Sequence, residues 1–99
     1  MSPSILAPIA KINLTLTEVK LLRVAVVFWL GMNQETSPRA EVTAARHLSR
    51  RLDAVVLELT GKPSHLTWRC DGLDARTLQV IRYALPTLSG TLDLLEKFL

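Results

Sequence analysis

Nine consecutive residues, Val24-Ala-Val-Val-Phe-Trp-Leu-Gly-Met32, carry no charge in a chain of 99. A helix that is apolar on every side needs cover on every side. A domain this small buries only about 65% of the surface its unfolded chain exposes, so it offers few fully enclosed positions. The run therefore directs attention to a partner surface more than to a reaction. It is also too short to span a bilayer, which takes about 20 apolar residues with about 18 as a floor. Arg23 precedes it, with Glu18 and Lys20 one turn earlier, and Asn33-Gln34-Glu35 closes it.

The wider composition agrees with a folded, mainly helical chain. Hydrophobic residues make up 48% and charged residues 21%, which excludes the low-hydrophobicity, high-charge signature of disorder. The apolar content is Leu, Val, Ala and Ile with only five aromatics, a mixture suited to helix packing. Residues 1–10 contain Pro3 and Pro8 and are expected to be an irregular arm, a poor signal peptide without a basic residue before Lys11. Residues 11–99 are expected to form one domain. A lone cysteine, Cys70, suits a reducing compartment, so the expected location is cytoplasmic. Net charge is +3, without the concentrated positive segment of a strong nucleic-acid binder.

Local patterns place the elements. Ile12, Leu14 and Leu16 alternate with Asn13, Thr15 and Thr17, a short strand signal. Thr15 and Glu18 have capping-box spacing, and Leu14 with Val19 is the matching hydrophobic staple. A strand ending near Leu14 should feed a first helix from Leu16 to Leu30, stopped by Gly31. Ser37 is the expected N-cap of a second helix, with Pro38 at its first position. That helix runs from Pro38 to Thr60, because Ala45, Leu48, Leu52, Val55 and Leu59 form one stripe before Gly61-Lys62-Pro63. Leu66, Trp68 and Cys70 then alternate with polar residues, and this second strand should pair with residues 11–16 or with another subunit. Asp74 is the expected cap of the last helical segment, with Leu73 and Leu78 as its staple. There Leu78, Ile81, Leu85, Leu88, Leu92, Leu95 and Leu99 keep one register past Pro86 and Gly90. We expect two short helices in register, about 75–85 and 88–98, or one kinked helix. The fold class is α+β, mainly α: three to four helices around a central apolar helix, with two short strands paired together or across a dimer.

Three features could carry function. Phe28, Trp29 and Met32 are residue types enriched at protein interfaces. On the helical wheel Val24, Val27 and Phe28 point away from Ala25, Trp29 and Met32, and one of those sets is expected to face a partner. Second, Arg46, Arg50 and Arg51 could contact phosphates, although Asp53 stands three residues from Arg50 and could neutralise it. Third, His65, Cys70, Asp71 and Asp74 are the local cluster of ligand-type side chains. No paired C-x-x-C unit accompanies them, and in an extended segment His65 and Cys70 face opposite sides. Cys70 is then read as a core residue, with Asp71 and Asp74 as turn and cap. Last, no glycine loop or His-Glu-x-x-His stands in the chain to hold a phosphate or a metal, and no cofactor is expected.

The function expected from these features is a small non-enzymatic interaction or self-association module, a homodimer or a subunit bound to another protein. The alternative is a small winged-helix-like DNA-binding regulator using Arg46, Arg50 and Arg51, with the segment near 62–72 as its wing.

Overall fold

A computed structural model of the chain describes residues 12–70 and 72–99. The expected irregular arm at 1–10 and the role given to Asp71 lie outside the described residues. Among those described are a two-stranded antiparallel sheet and four α-helices, the mainly helical α+β class expected. In chain order they are β1 (Ile12–Thr15), α1 (Leu16–Asn33), α2 (Arg39–Leu59), β2 (Thr67–Cys70), α3 (Ala75–Ala84) and α4 (Leu92–Glu96). A 3-10 turn, Leu85–Thr87, joins the last two.

The strands pair within the chain, Ile12 opposite Cys70 and Leu14 opposite Trp68. Ile12 and Leu14 turn inward while Asn13 is exposed, as period-two alternation requires. At the next residue the backbone changes from strand to helix, and a reciprocal cap fixes the change. The Glu18 N–H donates to Thr15 Oγ1 at 3.2 Å, and the Thr15 N–H donates to Glu18 Oε1 at 2.9 Å. Lys97 locks the C-terminus onto this corner, donating to the Asn13 carbonyl at 3.2 Å and to Glu18 Oε1 at 3.0 Å.

α1 is central. It packs on α2, α3, the 3-10 turn and both strands. Its inward residues Val19, Leu22, Ala25, Val26 and Trp29 join the α2 stripe, every member of which is buried, in one continuous core. Gly31 does not end the helix. Past Gly31 the hydrogen bonding goes on: Asn33 Nδ2 donates to the Trp29 carbonyl at 3.0 Å, and the Gln34 N–H donates to that of Leu30 at 2.9 Å. With those satisfied, α1 continues to Asn33.

α2 begins one residue later than expected. Pro38, not Ser37, is its N-cap; its backbone is extended (φ −53°, ψ 139°), and its carbonyl accepts from Glu41 and Val42. No side chain caps this end.

The leucine register of the C-terminal third also breaks. Leu78, Ile81 and Leu85 are buried as predicted, but Leu92 is 68% and Leu99 76% exposed. Gly90 takes φ 77°, a conformation open to glycine and strained for other residues, and the chain emerges rotated. The buried set becomes Thr91, Leu94 and Phe98, with Leu95 partly covered. Thr91 makes the new phase tolerable, because its hydroxyl sits 2.6 Å from the Leu85 carbonyl and 2.9 Å from that of Leu88. Arg82 Nε fastens the end by donating to the Phe98 carbonyl at 2.7 Å. The result is two helices that do not share one face.

Candidate interaction surface

Because α1 is apolar almost all round, its buried side does not exhaust its apolar side chains. Ala25 and Trp29 face the core, Trp29 at 5% exposure. The opposite arc carries Val24 (53% exposed), Val27 (50%), Phe28 (48%) and Met32 (58%). Trp29 thus leaves the group Phe28, Trp29 and Met32 named from sequence. Val24 and Val27 join Phe28 and Met32 instead, and the four make one stripe along the solvent side of α1.

Arg23, Val24, Val27 and Phe28 line a shallow concavity of about 350 Å³. Arg23 is fixed there by an ion pair with Asp53 of α2. This corrects the expected Arg50–Asp53 pairing along α2: Asp53 reaches across the helix hairpin rather than along its own helix. Gly31 lies within the stripe, and a methyl group added to it would meet nothing within 4 Å. Lys20 stands at one end and Glu35 at the other, both exposed and neither in an ion pair among the described residues.

The arginines do not form one patch. Arg46 and Arg50 lie four residues apart on the exposed face of α2, and Arg46 Nη2 donates to Gln34 Oε1 at 3.4 Å. Arg51 turns to the sheet, its guanidinium 5.1 Å from the centroid of the Trp68 ring. Near the start of α2, Arg39 and Arg46 line a polar hollow with Gln34, Ser37 and Thr43. The segment before β2 does not form a separate hairpin wing, because β2 pairs with β1.

The His65–Asp74 cluster resolves into separate parts. His65 is exposed, Cys70 is buried at 1%, and Asp74 caps α3 by accepting from the Thr77 N–H at 2.7 Å. That bond is the main reason the Asp74 carboxyl is held below its ordinary value. Burial pushes Glu18 upward, but Lys97 and the Thr15 cap outweigh it and hold this carboxyl below its ordinary value too. Both shifts belong to helix caps and lie away from the α1 stripe.

No group of three His, Cys, Asp or Glu side chains among the described residues is arranged to hold a metal ion. No described helix is long and apolar enough to cross a membrane. No protein-family model, curated protein or solved structure matches the chain.

Proposed function

We propose that this protein is a non-enzymatic self-association module that forms a homodimer through the solvent face of α1. The observation that carries the reading is the stripe Val24, Val27, Phe28 and Met32, each side chain about half exposed on one helix face. Together they present an apolar patch on the order of 400 Å², within the size range that on monomers is often functional. Scattered exposed leucines need no such account, and Leu57, Leu92 and Leu99 are of that kind. Two-fold dimers are the commonest assembly, and a helix face that meets its own copy needs only one surface.

The test is sedimentation equilibrium of the wild type and of Phe28→Asp across ~1–500 μM. Reversible dimerisation of the wild type, lost in Phe28→Asp while its circular dichroism stays native, supports the proposal. A wild type that is monomeric throughout overturns it.

Duplex DNA contact through Arg46, Arg50 and Arg51 is the competing reading. It is the weaker one because Arg51 is engaged with Trp68, which leaves two arginines and Arg39 for the exposed face. Tight duplex binding at ~50 mM salt that weakens linearly in log K against log salt would favour it instead.

A further inference from the structure

The α1 stripe has an order along the helix that a second copy can read in one direction only. Along its midline, within about 100° of arc and with Met32 to one flank, stand Lys20, Val24, Val27, Phe28, Gly31 and Glu35, the two charged residues at its ends. The steps between them are four, three, one, three and four, which read the same from either end. All six are exposed. Glu35 stands one residue beyond Gln34, whose αR backbone (φ −62°, ψ −23°) carries the helical path forward.

Resting on the self-association reading, we infer that the dimer is an antiparallel α1–α1 pair, with a two-fold axis at the midpoint between Val27 and Phe28. In that register Val27 meets the partner's Phe28 and Val24 meets the partner's Gly31. Lys20 meets the partner's Glu35, and all three contacts occur twice. Gly31 has nothing within 4 Å of where a Cβ would stand, so the partner's valine enters an unfilled position. A parallel pair would instead oppose Lys20 to Lys20 and Glu35 to Glu35. Like charges held face to face disfavour that arrangement, and opposite charges select the antiparallel one. The apolar stripe alone is small beside the roughly 800 Å² per partner of a standard interface, so the charged ends and Gly31 must lie within the contact. Such an interface sits at the weak end of specific association, where two rim ion pairs decide a measurable share of the affinity.

Charge reversal tests the register. Lys20 and Glu35 make no ion pair within the chain among the described residues, so Lys20→Glu and Glu35→Lys should fold normally, checked by thermal melting of the dilute monomer. At low ionic strength each single variant should dimerise about tenfold more weakly, and the double variant Lys20→Glu/Glu35→Lys should return to wild-type affinity. Raising the salt should erase the differences. If the wild type dimerises but the single variants match it, or the double variant is no better than the singles, the antiparallel register is wrong while self-association stands. A wild type that never dimerises removes both.

Discussion

Phe28 and Trp29 are neighbours in sequence and aromatic, yet the structure gives them opposite consequences when truncated to alanine. Trp29 is 5% exposed, inside the core shared by α1, α2 and α3. Removing a buried aromatic of this kind costs about 3–5 kcal/mol, through lost transfer energy and the cavity left behind. Phe28 is 48% exposed. Only about half of its side chain is withdrawn from water in the monomer, so Phe28→Ala should cost about 1 kcal/mol there. A domain of this length has roughly 5–15 kcal/mol of stability in all. Trp29→Ala therefore removes a large share, and Phe28→Ala a small one. At about 4–8 °C per kcal/mol, the Tm of Trp29→Ala should fall by at least roughly 12 °C. Far-UV circular dichroism against urea, at ~1 μM protein where the monomer dominates, reads both values. At ~500 μM the wild type should gain Tm by mass action, and Phe28→Ala should not. A Phe28→Ala loss at ~1 μM as large as that of Trp29→Ala would refute the division of α1 into a core side and a free side.

Acid should weaken the fold through two helix caps. Glu18 and Asp74 are held below their ordinary values of 4.5 and 3.8, so the folded chain binds these protons less readily than the unfolded chain. Their stabilisation is complete above those values and is lost as pH falls through the lower folded ones. Urea midpoints between pH 6 and pH 2 should decline through this window, with a shallower decline in Glu18→Gln; stability that rises on acidification would contradict it. Two glycines should respond with opposite sign. Gly90→Ala forces an L residue to φ 77° and should cost about 1–2 kcal/mol. Gly31→Ala, inside a helix with open space around it, should stabilise the dilute monomer by up to about 1 kcal/mol. Denaturant unfolding at low protein concentration measures both.

Those elements were most legible in sequence that rest on short-range chemistry. The Thr15–Glu18 box, the Asp74 cap and the α2 stripe each depend on residues within a few positions, and each is present where its spacing places it. Strand pairing followed from necessity, since neither short strand could satisfy its own backbone alone. The misplacements come from residues that allow an event without requiring it. Gly31 permits a helix to stop, but Asn33 and Gln34 supply the bonds that let it continue. Gly90 permits a change of phase, and a seven-member apolar register of six leucines and Ile81 outwardly argues against one. Thr91 and Phe98 decide the matter, because burying them gives a hydroxyl two carbonyl neighbours and fills the core with a larger side chain than Leu99 could.

The surface was legible only in part, and the reason lies in α1 itself. Periodicity identifies a buried face by contrast with a polar one, and α1 has almost no contrast between Val24 and Met32. The wheel separates Val24, Val27 and Phe28 from Ala25 and Trp29, yet either set could have faced inward. The choice belongs to the neighbours: α2 and α3 each offer one stripe, and together they cover the arc through Leu22, Ala25, Val26 and Trp29. Putting Trp29 inward buries the larger aromatic, the stronger hydrophobic gain of the two. Phe28, about 100° round the helix from Trp29 on the side away from Val26, then falls outside the arc that α2 and α3 cover. The outward apolar arc is thus a consequence of fitting one all-apolar helix against two single-striped ones. In a chain of this size a second copy can supply the missing stripe.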